Sequence, residues 1–429
     1  MHHFDTTMKR LLLFIFITLS TNIYSQTLFE DSSKIEEYNY FFLDSANNET
    51  AFGEYEPTGI IELKNGSMII STKLHLHFPG QYSIPFENTP EYFEKSKIYR
   101  EKSHISSGTL IKLKKNFDKE WEIIFKEKRI VKIKLRTDSL IIVAGERTDM
   151  KKFWIACINT NGKVQWEKEY SIKSNIRVRD LTLDSLNNIY ALIESEQIVP
   201  VKLVRLEFGR KKLSFFKPSE NSDLYIIGIS TYGKKLWATT LHKNNRIWTS
   251  GSKLIIGNKN IYVSSSYQGF KKRKKEFIKI EGNNIFELDI YGKIKSKKEV
   301  KDLDIFNYNK GLITYSKDQD GKITFYKNFY EIKSIELPQE IKNMWITKTE
   351  RINGNIIIFG TLSNNLGYLL LKLDRNYNFK DYWNNNKERT CQPVDFLVKD
   401  SSIIVVGEKW KDINNKVVRF VNVMKINTN

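Results

Sequence analysis

Cysteine is nearly absent: Cys157 and Cys391 are the only two in 429 residues, and they are far apart. That excludes a disulfide-stapled scaffold and any C-x-x-C redox or zinc motif. Proline, at eight residues, is too scarce for a Pro-rich linker or a low-complexity chain. After Leu19 no apolar run is long enough to span a bilayer. The G-x-S-x-G elbow, the H-E-x-x-H helix and a phosphate-binding Gly-rich loop are also missing, which removes the most legible hydrolase, metalloprotease and nucleotide-binding classes.

What is present is a large supply of core material, 40% apolar and 13% aromatic, so the chain is expected to fold throughout. Residues 8 to 26, MKRLLLFIFITLSTNIYSQ, have a basic start at Lys9 and Arg10, an apolar run from Leu11 to Leu19 and a small polar end. This is the anatomy of a secretory signal peptide. Residues 1–25 are therefore expected to be removed, leaving 26–429 as one exported domain, periplasmic or extracellular, without a membrane span. No Cys stands at the junction, so no lipoprotein is expected. The Gln after the cleavage point resembles the signal-peptide ends of Bacteroidota envelope proteins.

The stretch from Ser139 to Tyr170 sets the organisation: an alternating apolar run at Leu140 to Ala144, a polar loop, a second run at Phe153 to Ile158, a turn at Asn161-Gly162 and a last strand carrying Trp166. Alternation bounded by Gly, Asn and Asp is a strand signal, and Asn-Gly between two such runs is a hairpin signal. Relatives of the first run recur as NGSMIIST at Asn65, NNIYALIES at Asn187, KNIYVSSS at Lys259, KGLITYS at Lys310, GNIIIFGT at Gly354 and SSIIVVGE at Ser401, seven copies with DSLIIVAGE at Asp138. Each follows another alternating run, such as IVKIKL at Ile130 or IRVRDLTL at Ile176. Four strands repeated every roughly 40 to 50 residues predict an all-β, seven-bladed propeller of four-stranded antiparallel blades. The last copy stops after its third run, and QTLFEDSSKIEEYNYFFLD from Gln26 is expected to supply the missing strand and close the ring. Cys157 and Cys391 then fall in blades that are not neighbours, and two unpaired buried thiols are expected.

The turns repeat as well: LKKNFDKEW at Leu113, INTNGKVQW at Ile158, ISTYGKKLW at Ile229, LDIYGKIKS at Leu288 and LDRNYNFKDYW at Leu373. A hydrogen-bond acceptor early in the turn suits its backbone, and an indole on the outer strand suits the wedge between blades. ACINTNGKVQW, Ala156 to Trp166, resembles the tryptophan-docking repeat of quinoprotein-type propellers, with partial echoes at Gly233, Lys234 and Trp237 and at Gly292 and Lys293. The resemblance implies the fold. It does not extend to the quinone, because quinoprotein dehydrogenases of this type resemble one another in a vicinal Cys pair that this chain lacks, and no cofactor is expected.

The long insertions follow second strands: residues 75–106 in blade 1, 197–222 in blade 3 and a shorter one at 267–282 in blade 4. In a meander these segments leave on the same face as the links between blades. They carry Lys97 and Arg100, Arg210 and Lys211, and Lys271, Lys272, Arg273, Lys274 and Lys275, with Tyr82, Tyr92 and, in blade 7, Trp410 among them. With a formal charge of +19, this predicts a basic loop face that attracts polyanions. Lys and Asn are abundant everywhere in the chain, however, and a charge run is often no more than a solvated loop.

Metal ligands are not expected. His75, His77 and His104 lack fixed carboxylate partners, and Asp318 and Asp320 before Gly321 lack the rest of a calcium loop, so a hairpin turn accounts for them better. The expectation is a monomeric, non-catalytic binding or scaffold propeller holding an acidic envelope polysaccharide or an envelope protein, with nucleic acid disfavoured by export. The alternative is a polysaccharide-active propeller enzyme, which needs carboxylates converging at the axis.

Overall fold

The computed structural model describes residues 35–40, 42–43, 52–77, 105–172, 175–208, 211–242, 247–273, 276–300, 303–308, 311–352, 354–362, 369–384, 391–399, 402–413 and 416–427. Every regular element among them is a strand. The strands form seven antiparallel sheets in a ring, a seven-bladed propeller. The first strands of the sheets touch one another in sequence and so line the axis: Phe52–Glu62, Lys128–Thr137, Asn175–Leu183, Ile247–Gly257, Asp304–Tyr308, Met344–Ile352 and Cys391–Lys399, the last returning to the first. All seven apolar runs read from the sequence are the second strands of their blades.

Ring closure uses the N-terminal segment, as expected. Ile35–Tyr40 pairs antiparallel with Lys416–Asn427, from Ile35 opposite Ile426 to Tyr40 opposite Val421, as the outer strand of blade 7. Phe42 and Leu43 then pair with Gly53 and Phe52, so the first sheet has five strands and not four.

The cores lie between sheets. Second-strand side chains alternate in direction, so Ile141 and Val143 pack with Leu110 and Phe125 of blade 1, while Ile142 and Ala144 pack with Ile176 and Ile227 of blade 3. A strand buried on both faces reads as a continuous apolar run, which is why these segments stood out. Each buried Ile or Val contributes about 1.5–3 kcal/mol. Cys157 is buried in the third strand of blade 2 and Cys391 lies in the first strand of blade 7, so blade 1 separates them.

Two sequence devices hold the rim. In the turns between third and fourth strands, Asn159 accepts the amides of Asn161 and Lys163 at 3.1 and 2.8 Å, Asp289 those of Tyr291 and Lys293 at 2.9 Å each, and Asp374 those of Asn376 and Asn378 at 2.8 and 2.9 Å. Ser230 does the same more loosely at 3.3 and 3.1 Å. The turn glycine then admits a side chain of the preceding blade's outer strand: a Cβ at Gly233 would lie 2.9 Å from Trp166, and one at Gly162 would lie 2.5 Å from Ile123. Asp318 accepts the amide of Lys322 at 2.8 Å and Gly321 has φ +87°, a hairpin turn as expected.

Two of the expected loops are strands. The blade 3 insertion is an antiparallel extension of Ile189–Phe208 and Lys211–Ile229, paired from Gln197 opposite Asn221 to Phe208 opposite Lys211. The blade 4 insertion likewise continues Asn260–Arg273 and Glu276–Asp289 as a hairpin. In blade 1 the flanking strands end at His77 and resume at Ile105; residues 78–104 lie outside the described residues.

Candidate functional site

Hairpins joining second to third strands share one face of the ring with the links between blades, and three of them outreach their sheets. In blade 3 the first strand pairs only as far as Glu196 and the fourth only as far as Leu224, so Gln197 to Asn221 form a free two-stranded arm, roughly 40 Å long at about 3.3 Å per residue. In blade 4 the first strand stops at Gly269 and the hairpin continues to Arg273 opposite Glu276. In blade 7 it stops at Lys409, and Trp410 to Ile413 run on against Lys416 to Arg419.

Of the residues singled out from the sequence, Lys211, Lys271, Lys272, Arg273 and Trp410 lie in these projecting strands. Arg210, Lys274 and Lys275, and Tyr82, Tyr92, Lys97 and Arg100 of the blade 1 insertion, lie outside the described residues. The chosen strand residues thus share one face, but on separate arms of blades 3, 4 and 7.

Sequence reading missed the axis. Each first strand carries a β-bulge, and in six blades the residue just after it is Gly59, Lys132, Asp180, Lys253, Lys348 or Asp395. In blade 5 the bulge falls later, between Ile305 and Asn307, and Asp304 fills the corresponding position. Around the ring the series reads Gly, Lys, Asp, Lys, Asp, Lys, Asp. Seven positions cannot alternate without one break, and glycine provides it.

The charges latch neighbouring blades. Asp180 lies 3.9 Å from Lys132 Nζ of blade 2 and accepts the amide of Leu254 of blade 4 at 2.8 Å. Asp395 pairs with Lys348 of blade 6 and accepts the amide of Ile60 of blade 1 at 3.1 Å. Asp304 takes Ser252 and Ser264 hydroxyls of blade 4 at 2.8 and 2.6 Å. In all three, Oδ1 also accepts the amide of the following residue, at 2.9 Å from Leu181, 2.7 Å from Ile305 and 2.9 Å from Phe396. Lys253 reaches past blade 5 to Thr349 Oγ1 of blade 6 at 3.2 Å. Burial pulls the Lys253 ammonium below its ordinary range, with Asp304 and Asp180 opposing. Burial also acts against Lys348, but Asp395 and Glu350 outweigh it and hold that ammonium above its ordinary range.

Toward the hairpin face the first strands present a second tier. Glu56, Arg129, Arg177, Ser250 and Trp345 stand opposite Lys73, Glu146, Glu194, Ser266 and Thr361, one register position in blades 1, 2, 3, 4 and 6. Glu56 is paired with Lys73. The buried Glu146 accepts the amide of Val178 of blade 3 at 2.6 Å, and Arg179 Nε donates to the buried Glu194 at 2.6 Å. Burial pushes the Glu146 carboxyl up, and the opposing pull of Arg129, Lys73 and Arg177 does not cancel it.

No protein-family model and no curated protein matches the chain. Solved structures resemble it at low identity. A prolyl endopeptidase is 8% identical with a TM-score of 0.46, the match covering 86% of this chain and 50% of that one. The GH93 α-L-arabinofuranosidase of Fusarium graminearum is 8% identical with a TM-score of 0.43, over 91% and 98%. The lignostilbene dioxygenase of Pseudomonas brassicacearum is 8% identical with a TM-score of 0.42, over 85% and 97%. The chain thus spans half the length of the prolyl endopeptidase it matches.

Proposed function

We propose that the protein is an exported, non-catalytic binding or scaffold propeller of a bacterial envelope, whose hairpin face holds an acidic polysaccharide or a protein partner. The observation that carries this reading is the convergence of Lys211, Lys271, Lys272, Arg273 and Trp410 on hairpins that project from the same face. Cations on one face of a rigid ring, in a chain of net charge +19, set up a field that concentrates polyanions. The resemblance to quinoprotein-type propellers enters as fold and rim docking, not as chemistry.

The carboxylates at the axis fit this reading better than hydrolysis. Asp180 and Asp395 each hold an amide of the following blade and a lysine of the preceding one, and Asp304 holds two serines. Carboxylates engaged this way support the ring; a glycosidase pair must be open to substrate.

Retention on an anionic polysaccharide matrix over a salt gradient tests the reading, with residues 26–429 compared to a variant carrying Lys271→Gln, Lys272→Gln, Lys274→Gln and Lys275→Gln. Late elution of the wild type, with the variant leaving earlier than its lost charge alone dictates, is the expected result. Early co-elution of the two sinks the polyanion reading.

A further inference from the structure

Trp345 is 66% exposed, although it belongs to an innermost strand. An indole left in water forfeits much of the burial free energy of the largest side chain, and here it stands beside the axis with its ring open to a ligand. It sits where the first strand of blade 6 reaches the hairpin face, and Arg129 and Arg177 occupy the same register position on blades 2 and 3 across the axis. Arg177 is exposed and Arg129 half-buried. Both act electrostatically on the buried Glu146, which keeps a carboxylate beneath them. Arg179 is clamped by Glu194, and Glu56 is paired with Lys73.

Two guanidiniums and an indole at one register position of the first strands suit a ring that bears a carboxylate. A guanidinium offers a planar fork to both carboxylate oxygens, and an indole face accepts the C–H surface of a sugar. We propose that the mouth of the axial channel on the hairpin face is a subsite for one acidic sugar residue, with Arg129 and Arg177 taking its carboxylate and Trp345 stacking on its ring. This rests on the polyanion reading and locates it: the arms gather the polymer, and the mouth recognises a single uronic acid unit.

Calorimetric and tryptophan-fluorescence titration with a galacturonic acid hexamer tests it, with a glucose hexamer as neutral control. The variants are Trp345→Ala, Trp345→Phe and the double variant Arg129→Gln with Arg177→Gln, each first shown to melt like the wild type. The expected result is binding of the acidic hexamer only, an affinity about tenfold lower in Trp345→Ala and in the double arginine variant, and loss of the fluorescence change in Trp345→Phe. Equal affinity in wild type, Trp345→Ala and the double variant overturns the subsite, as does a wild type that ignores the hexamer. Retention on the long polymer decides the wider reading separately, because arm binding without a mouth subsite leaves matrix elution salt-dependent and the hexamer unbound.

Discussion

The indole of Trp237 in blade 3 closes over Gly292 in the turn of blade 4: Nε1 donates to Ile290 O at 3.1 Å, and a Cβ on Gly292 would collide with the ring. Thr239 of the same strand donates to Gly292 O at 2.6 Å. Gly292 also has φ +86°, a left-handed conformation that disfavours any Cβ. Gly292→Ala therefore combines backbone strain with overpacking of the docked indole, and should cost about 2–4 kcal/mol in urea unfolding. Gly354 separates the two effects, since it has φ +78° with nothing within 4 Å of a Cβ. Gly354→Ala should cost only about 1 kcal/mol. Equal losses at the two sites would show that docking adds nothing to the rim.

Asp395 ties three blades together at the axis through Lys348, Ile60 and its own strand. Its side chain is 17% exposed and that of Lys348 28%, so the pair is partly shielded from water. Asp395→Ala strands an ammonium and a backbone amide at once and should destabilise by about 2–4 kcal/mol. Asp395→Asn keeps an acceptor for Ile60 and should lose less. The exposed pair Lys64–Asp138, with side chains 79% and 67% exposed, is the control, and Asp138→Asn should shift stability by less than about 0.5 kcal/mol. Thermal melts of all three variants beside the wild type read the ranking, and a loss in Asp395→Ala no larger than in Asp138→Asn would remove the latch.

How much of this was legible depended on whether a residue's role is local. The second strands could be read because each is buried on both faces and writes a continuous apolar run, from Met68 to Val406. The turns could be read because Asn159 and Asp289 act on amides two and four residues away. The blade 3 arm was missed although Val204-Arg205-Leu206-Glu207-Phe208 alternates apolar and polar residues, because its charges fit a solvated loop equally well. The axial latch was hidden by distance, since Lys348 and Asp395 stand 47 residues apart and their pairing exists only once the ring closes. A signal was present even so: aligned on the first strands, Val131-Lys132-Ile133, Arg179-Asp180-Leu181, Ser252-Lys253-Leu254 and Val394-Asp395-Phe396 place a charge in front of a core residue each time.

Glu146 gives the fold a pH dependence with a defined sign. Burial raises its carboxyl above the usual value of 4.5, while the amide of Val178 and the charges of Arg129, Lys73 and Arg177 hold the shift back. Below that usual value the group is protonated in both the folded and the unfolded chain, and it contributes no penalty. As pH rises, the unfolded chain ionises first and draws the equilibrium toward itself; the loss is complete once pH passes the raised folded value. Glu146→Gln keeps an oxygen for the Val178 amide and removes the ionisation. The variant should therefore gain on the wild type as pH climbs above 4.5, with the gain levelling off once the raised folded value is passed. Urea midpoints measured at several pH values trace the difference. A variant less stable than the wild type at the upper end would mean that the arginines of the channel mouth, not burial, decide the charge state of this carboxylate.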